Sequence, residues 1–153
     1  MITFEKITEK SLDTVLEIVN SNSSYNKLEN GRSTRTLEEI NKEFLNPSTE
    51  SFIIKIENKN IGVIDFLPNN PKDDKPWLGL LMIHQDYQGL EYGRMAYLDF
   101  EKRFLRKTYN SVRLGVLEES RNGMTFWRSL GFQFYRESSW NGKTVKCFEK
   151  RLG

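Results

Sequence analysis

Apolar and polar positions in the first third of the chain change from a two-residue period to a helical period. Residues 1–7 alternate apolar and polar side chains, which predicts a first strand. Apolar residues then recur three and four positions apart over 12–19, which predicts a helix. The polar stretch 21–31 ends in glycine and predicts a loop. A capping-box pattern followed by a helical period predicts a second helix over 36–45.

The middle of the chain is rich in β-forming residues. Residues 51–56 and 61–67 predict two strands, and Asn58-Lys59-Asn60 between them suits a hairpin turn. The proline-rich segment 68–76 predicts a surface connection within one domain, because strand-like runs continue directly on both sides of it. The run 77–83 predicts a fourth strand.

A long helical pattern follows, from a glycine-containing turn at 88–93 to about Lys107. The apolar residues at helical spacing predict its buried face, which consists of Gly93, Ala96, Tyr97, Phe100 and Phe104. A strand over 111–117 and a short helix over 121–130 come next.

The chain closes with a predicted hairpin of strands 132–136 and 144–148 around the turn pair Asn141-Gly142. The predicted order of elements is therefore βααβββαβαββ, a mixed α/β domain.

The composition agrees with a single domain over residues 1–153, long enough to bury a core. No apolar run approaches the roughly 20 residues of a membrane span, and the N-terminal residues lack the apolar segment of a signal peptide. Cys147 is the only cysteine, so no internal disulfide can form. We expect a soluble cytoplasmic protein with no membrane partner.

Net charge adds little to this description. It is +2 at neutral pH, and the basic residues are spread among acidic ones. Because nucleic-acid-binding domains collect basic residues into a patch or stripe, we do not expect nucleic acid as a partner. No metal site is predicted either.

The turn at Gln88-Gly89-Leu90-Glu91-Tyr92-Gly93 is the strongest indication of chemistry. It lies between a predicted strand and a predicted helix. The first N–H groups of a helix have no intrahelical partner, and together with the helix dipole they attract phosphate. Glycine also lets a ligand approach the backbone closely. The turn therefore predicts a ligand that carries phosphate.

Two other phosphate-binding loops are excluded by the residues present. The turn has no Gly-Lys-Ser/Thr, which a Walker-type loop requires. It also lacks the Gly-x-Gly-x-x-Gly spacing of a dinucleotide-binding fold.

Residues 83–94 resemble motif A of the GNAT N-acetyltransferase superfamily, in which a Gln/Arg-Gly-x-Gly-x-Gly/Ala loop binds the pyrophosphate of acetyl-CoA. Gln88, Gly89 and Gly93 match that pattern, whereas Glu91 replaces the usual middle glycine and Gln85 a common proline. A second block, Phe126-Trp127-Arg128-Ser129-Leu130-Gly131-Phe132, is similar to the family's Phe-Tyr-x-x-x-Gly-Phe and lies at the expected distance along the chain.

The resemblance implies an acyl-CoA N-acyltransferase fold: a mostly antiparallel sheet of six or seven strands with about four helices. The fourth and fifth strands would run parallel and splay apart, so that the pantetheine arm enters between them. The implied activity is transfer of an acetyl group from acetyl-CoA to a primary amine of a small molecule or peptide by direct attack. A CoA-binding module that has lost catalysis is the alternative.

The resemblance also assigns residues to the cofactor. The loop backbone would meet the pyrophosphate, Arg94 could add a charge contact, and Ser120 or Asn122 could reach the pantetheine. The full implied set is Met82, Ile83, His84, Gln88, Gly89, Leu90, Glu91, Tyr92, Gly93, Arg94, Ser120, Asn122, Phe126 and Trp127.

The catalytic groups are less defined. By analogy with the family, a backbone N–H near Met82 or Ile83 would stabilise the oxyanion. Glu118, Glu119 and Asp65 are the candidates for a general base that removes a proton from the amine.

Trp127 stands where many relatives have a tyrosine that protonates the thiolate, and indole is a poor acid. Tyr135, Tyr92 or a water could replace it. His84, the only histidine, is interpreted as structural or peripheral.

Tyr25, Glu29, Arg32 and Arg35 could line an acceptor site, although a solvated loop is an equal interpretation of this segment. The two arginines would suit an acceptor that bears carboxylate or phosphate. Dimers are common among GNAT proteins, but no segment of this chain declares an interface.

Overall fold

The alternating segments form one sheet of seven strands in the order β1-β2-β3-β4-β5-β7-β6 in a computed structural model that describes residues 1–153. The strands are β1 (Ile2–Lys6), β2 (Glu50–Ile56), β3 (Lys59–Asn70), β4 (Lys75–Ile83), β5 (Ser111–Leu117), β6 (Gln133–Trp140) and β7 (Lys143–Arg151). The helices are α1 (Leu12–Asn20), α2 (Ser23–Asn30), α3 (Leu37–Phe44), α4 (Tyr92–Phe100) and α5 (Arg121–Ser129). Short 3-10 turns lie at Glu9–Ser11 and Gln85–Tyr87, and a π-helical turn covers Glu101–Leu105.

The predicted fold class is confirmed. All strand pairs are antiparallel except β4 with β5, which meet at the single residue pair Trp77 and Arg113. The helices lie on both faces of the sheet, and each face has its own apolar cluster. One cluster joins α4 to the sheet and the other joins α1 and α3 to it.

The prediction of a loop over residues 21–31 is wrong, because residues 23–30 form α2. Its sequence has no apolar stripe, which is why the helical period was not visible. The buried amide of Asn26 holds the helix in place by donating to the carbonyls of Val19 and Ser33 at 3.0 and 3.1 Å. Gly31 ends the helix at φ +77°, a left-handed conformation that suits glycine.

The surface connection predicted over 68–76 is also shorter than expected. β3 continues to Asn70 and β4 begins at Lys75, and these two residues pair across the turn. The N–H of Asp74 donates to the carbonyl of Asn70 at 2.8 Å and closes this turn. Prolines are tolerated here because the ladder is irregular between Leu67 and Asn70.

A β-bulge explains why β4 and β5 diverge. Asp65 pairs with Leu80 while Phe66 pairs with Leu78, so Gly79 is an extra residue on β4. A bulge bends its strand and increases the local twist. The predicted splay of the parallel strands is therefore confirmed, and it leaves a space beyond Trp77 and Arg113 that we call the gap.

The long helix predicted to about Lys107 is α-helical only to Phe100 and then makes the π turn. Within this π turn Glu101 is buried, whereas Phe104 is 38% exposed. The turn also brings Arg106, five positions on, to 2.7 Å from the Glu101 carboxylate. Lys150 of β7 approaches the same carboxylate at 2.6 Å, and the Tyr97 hydroxyl donates to it at 3.0 Å. Glu101 thereby ties the end of α4 to the sheet.

We expect Glu101→Gln to destabilise the fold by about 3 kcal/mol at pH 7, because it leaves the buried end of Lys150 without a countercharge. Burial opposes ionisation of Glu101, but hydrogen bonds from Lys150, Arg106 and Tyr97 hold its pKa below the usual value. A lowered pKa contributes stability above the unfolded pKa of about 4.3 and loses it as pH falls further.

Denaturant unfolding at pH 7 and below pH 4 measures this dependence. The exposed i,i+4 pair Asp99–Arg103 on the same helix is the control, and Asp99→Asn should change stability by under about 0.5 kcal/mol. If Glu101→Gln lowered the free energy of unfolding equally at both pH values, the ionised Glu101 carboxylate would not be the source of the stability.

Candidate active site

Strand alternation decides which backbone groups face the gap. The N–H of His84 donates to the carbonyl of Ile61 on β3 at 2.8 Å. In an antiparallel pair, every second residue points the same way, so Met82 also directs its N–H and C=O to β3. Leu81 and Ile83 therefore direct theirs to the gap, where β5 no longer pairs with β4.

Of the two candidates for the oxyanion donor, Met82 and Ile83, this geometry favours Ile83. Its N–H belongs to the β3 ladder, and its side chain is buried in the cluster on the α1 and α3 face. Ile83 is the residue whose N–H is directed into the gap at the end of β4. The sequence shows only that the donor lies near the end of the strand, because its direction depends on the pairing register.

The segment Gln88–Arg94, which we call the glycine loop, has the backbone of a phosphate nest. Gly89 and Glu91 have φ values of +78° and +68°, so a glutamate occupies a left-handed position that favours glycine. The N–H groups from Gly89 to Arg94 donate no hydrogen bond within the chain, and the first α4 bond is from the N–H of Met95. Glu91 and Arg94 have exposed side chains. The loop therefore presents a row of free donors at the end of the gap.

The side chains of Ser21, Asn22 and Gln88 hold the glycine loop in place. The Nε2 atom of Gln88 donates to the carbonyl of Ile83 at 2.9 Å and to the Oδ1 atom of Asn22. The hydroxyl of Ser21 accepts from the N–H of Gln85 at 3.0 Å. The side-chain amide nitrogen of Gln88 is therefore used within the chain, in support of the glycine loop. No sequence pattern pointed to Ser21 and Asn22, which lay in the supposed loop.

His84 has a structural role in this geometry. Its Nδ1 accepts from the N–H of Asp86 at 3.0 Å, and its ring packs edge-on against Tyr87. The imidazole thus caps the turn at Gln85–Tyr87 and is not directed at the gap.

The second sequence block packs α5 against α4. The ring of Phe126 lies 3.5 Å from where a Cβ on Gly93 would lie, so a larger residue at 93 would press on it. Trp127 meets Tyr97 and Phe132 edge-on, with ring centroids 5.4 and 5.2 Å apart. Trp127 is therefore a packing residue with no visible acid function.

Ser120 and Asn122 lie at the start of α5, beyond the end of β5. Ser120 is the N-cap residue, and its N–H donates to the carbonyl of Leu117 at 2.8 Å. Asn122 is exposed, and its side chain forms no hydrogen bond in the chain. Both residues are thus near the β5 side of the gap.

The model of the acetyltransferase (GNAT) family matches residues 13–132, which is most of the chain. The chain belongs to the GNAT family. No curated protein matches the chain in sequence.

Solved acetyltransferase structures share the fold across nearly the whole chain. An acetyltransferase from Thermus thermophilus superposes with a TM-score of 0.83 at 21% identity, covering 99% of this chain and 97% of that one. The ribosomal-protein-S18-alanine N-acetyltransferase from Escherichia coli has a TM-score of 0.75 at 14% identity, covering 99% and 94%. A chimera of the spermidine N-acetyltransferase SpeG from Vibrio cholerae and hSSAT has 0.71 at 15%, covering 99% and 95%. Identities this low show the fold alone.

Two further observations on this GNAT domain concern membrane-spanning helices and metal-binding side chains. None of its helices combines the length and apolar character needed to cross a membrane. No group of three or more His, Cys, Asp or Glu side chains is arranged to hold a metal ion.

The candidate bases occupy two different environments. Glu118 and Glu119 are exposed where β5 ends, and Glu118 pairs with Lys146 at 3.5 Å. Asp65 is buried beside Gly79 and accepts a hydrogen bond from the Ser51 hydroxyl. Burial raises the pKa of Asp65 above its ordinary value although the Ser51 and Thr49 hydroxyls lower it. Glu118 and Glu119 are therefore the candidates that reach solvent beside the gap.

The candidate acids, Tyr135 and Tyr92, also lie in two different environments. Tyr135 lies under Arg113, 4.5 Å from guanidinium carbon to ring centroid, and Arg113 marks the point where β4 and β5 still meet. The structure thus does not bring the buried Tyr135 hydroxyl to the open part of the gap. Tyr92 lies in the first turn of α4 beside Tyr87, and its hydroxyl has no partner in the chain. Tyr92 is the candidate acid nearer the loop.

The expected acceptor residues are brought together, but their charges are already paired. Arg32 donates to both carboxylate oxygens of Glu39, at 3.2 and 2.7 Å. Arg35 is buried and donates to Glu29 and Glu43. Neither arginine is free, which removes the reason for expecting an anionic acceptor.

A surface depression of about 430 Å³ lies at these pairs, and we call it the acceptor depression. Its lining consists of Glu29, Asn30, Arg35, Glu39, Lys42, Glu43 and Trp140. Tyr25 donates to Glu29 at 2.9 Å, and burial, Glu29 and Glu43 raise the Tyr25 pKa, so it stays a neutral donor. Trp140 comes from β6, and no sequence pattern indicated that it would reach α2 and α3.

We expect Glu91→Gly to tighten CoA binding and to stabilise the protein slightly. At about 5 Å from a phosphate, the carboxylate would cost roughly 3 kcal/mol at an effective dielectric near 20 and under about 1 in water. Glycine also removes the strain of a left-handed residue, about 1 kcal/mol.

Calorimetric titration with CoA and thermal unfolding would measure the two effects. Glu91→Ala removes the charge but keeps the left-handed strain, so it should tighten binding without the gain in stability. Unchanged or weaker affinity in both variants would mean that the Glu91 carboxylate does not repel the ligand.

Proposed function

We propose that this GNAT domain transfers an acetyl group from acetyl-CoA to a primary amine. The observation that carries the proposal is the junction of two sets of free donors: the N–H groups of the glycine loop and the N–H of Ile83 at the end of β4. The first set suits a pyrophosphate and the second a thioester carbonyl. The family match supports the same reaction.

The residues present fit acetyl-CoA. The N–H groups from Gly89 to Arg94 would hold the pyrophosphate, and the exposed Arg94 side chain could add a charge-assisted bond. The free edges of β4 and β5 would receive the pantetheine arm, whose amides pair with strand backbone. Because acetyl-CoA is an intracellular metabolite, the proposal places the reaction in the cytoplasm.

The reaction needs little from side chains. The amine nitrogen attacks the thioester carbon, a C–N bond forms and the C–S bond breaks, with its electron pair leaving on sulfur. The N–H of Ile83 would stabilise the oxyanion at no reorganisation cost. The proton lost by nitrogen would pass to water near Glu118 or Glu119. The thiolate would take a proton from Tyr92 or water.

The acceptor depression favours a positively charged acceptor. Its lining has three carboxylates, those of Glu29, Glu39 and Glu43, and two cations, Arg35 and Lys42. Arg35 donates to both Glu29 and Glu43, so these two carboxylates share one guanidinium. Burial raises the pKa of Glu43, as do the charges of Asp65 and Glu29, while Arg35 lowers it. A bound ammonium would relieve this excess of negative charge.

The distance along α2 suggests the length of the acceptor. Asn22, just before the helix, contacts Ile83, whereas Glu29 and Asn30 at its end line the depression. Eight helical residues span about 12 Å. An acceptor that reacts at Ile83 could therefore place a second ammonium in the depression.

We expect diaminooctane to be acetylated with a lower KM than octylamine, because only the diamine has a second ammonium for the depression. Glu43→Gln should raise the KM for the diamine about tenfold, equivalent to about 1.4 kcal/mol, with kcat within about twofold. For the wild-type protein this KM should also rise as pH falls through the raised pKa of Glu43.

Glu38→Gln is the control, because Glu38 lies on the same helix but is 82% exposed and outside the depression. Thermal unfolding of both variants detects any loss of folding. Equal KM values for diamine and monoamine would remove the acceptor depression from the proposal but leave acetyl transfer intact.

The alternative function is CoA binding without catalysis. The packing of Trp127 and the position of Tyr135 favour it, since neither supplies an acid at the gap. Thioester consumption that depends on an amine would exclude this alternative.

Acetyl-CoA should bind the wild-type protein in the micromolar range, and Gly89→Ala should weaken binding about tenfold or more by closing the nest. Gly142→Ala is the matched control, because Gly142 also has a positive φ, of +74°, with nothing within 4 Å, but lies in the hairpin turn of β6 and β7. Calorimetric titration of the wild-type protein, Gly89→Ala and Gly142→Ala measures their affinities for acetyl-CoA. No binding to the wild-type protein at millimolar acetyl-CoA would contradict both functions.

A further inference from the structure

The amide of Asn22 joins three parts of the site. Its Nδ2 donates to the carbonyls of Ile83 at 3.1 Å and Ile18 at 3.2 Å, while its Oδ1 accepts from Gln88. Gln88 donates to the same Ile83 oxygen at 2.9 Å. Asn22 is only 8% exposed, so water competes little for these bonds. The three residues form a closed triangle between the α1–α2 junction, the end of β4 and the glycine loop.

The triangle fixes the direction of one backbone donor. In an extended strand, the N–H and C=O of one residue point to the same side. Holding the Ile83 carbonyl on the gap side therefore also holds the Ile83 N–H on that side. Beyond Trp77 and Arg113, β5 gives β4 no ladder partner, so the Asn22 and Gln88 side chains replace the missing strand contact.

We propose that Asn22 is a positioning residue for acetyl transfer. It aims the N–H of Ile83 at the thioester oxygen, and it joins that N–H to the glycine loop through Gln88, so cofactor binding and carbonyl orientation depend on one another. This inference rests on the proposed function. Since misplacement of a reacting group by about 1 Å can cost 10²-fold, Asn22 should affect kcat more than cofactor affinity.

Asn20 is a matched control for a merely structural asparagine. It lies in α1, two positions before Asn22, and its amide also bridges to backbone. Its Nδ2 donates to the carbonyl of Arg35 at 3.1 Å, and its Oδ1 accepts from the N–H of Arg35 at 2.8 Å. None of these bonds reaches Ile83 or the glycine loop.

The experiment compares wild-type protein with Asn22→Ala, Asn22→Asp and Asn20→Ala. Asn22→Asp keeps the shape and the acceptor for Gln88 but cannot donate to Ile83. Thermal unfolding, CoA affinity and kcat with diaminooctane are measured for each. Isotope-labelled isoleucine, with the Ile83 signal assigned through Ile83→Val, reports the Ile83 amide by NMR with no ligand, with CoA and with acetyl-CoA.

We expect both Asn22 variants to lose about 10- to 100-fold in kcat while CoA affinity changes less than about threefold. The wild-type Ile83 amide should shift further with acetyl-CoA than with CoA, and the Asn22 variants should lose that difference. Asn20→Ala should keep the kcat and the shift even if its melting temperature falls.

Three results would overturn the inference: equal kcat for Asn22→Ala and Asn20→Ala, a loss confined to CoA affinity, or an Ile83 amide unaffected by Asn22. If the wild-type protein acetylates no amine, the proposed function fails, and this outcome is distinct from the three results above. The Ile83 amide then still decides whether Asn22 holds this peptide, because its signal is compared in the free proteins as well.

Discussion

Hydrogen bonding between β4 and β5 stops after Trp77 and Arg113, and the candidate site depends on that interruption. A continuous ladder would use the backbone groups of Leu81 and Ile83 for pairing. The bulge at Gly79 bends β4 away, so these groups face an open gap in the middle of the sheet. Buried backbone donors normally find partners, and free ones at a gap are therefore available to a ligand. Missing strand contacts thus leave a candidate binding site in the middle of the sheet.

The free strand end is useful only if it is held still. The Ser21, Asn22 and Gln88 side chains provide that support at the end of β4, and they connect α1 and α2 to the glycine loop. The loop also carries a residue in a left-handed conformation at Glu91, which costs energy that glycine would avoid. Its shape is maintained by tertiary contacts despite the unfavourable residue.

Charge separates the two halves of the site. The glycine loop offers unpaired N–H donors and the positive end of α4, which suit phosphate. In the acceptor depression, which Lys42 also lines, Glu29 and Glu43 share one arginine, and this would suit an ammonium. Two partners of opposite charge would therefore approach different ends of α2 and meet near Ile83. This separation would limit competition between the two substrates for one surface.

The sequence by itself determined the order of most elements and the position of the glycine loop, because these follow from local periods and turn residues. The splayed strands were implied only by the resemblance to the GNAT family. The sequence could not identify α2, whose polar residues carry no apolar stripe, or the extension of β3 and β4 into the proline-rich turn. Only the tertiary structure separated Ile83 from Met82 as the candidate oxyanion donor, since the direction of an N–H depends on pairing with β3. It also paired Arg32 and Arg35 with carboxylates and placed Asn22 on Ile83, 61 positions away. Such contacts join residues far apart in the chain, so no local pattern of residues encodes them.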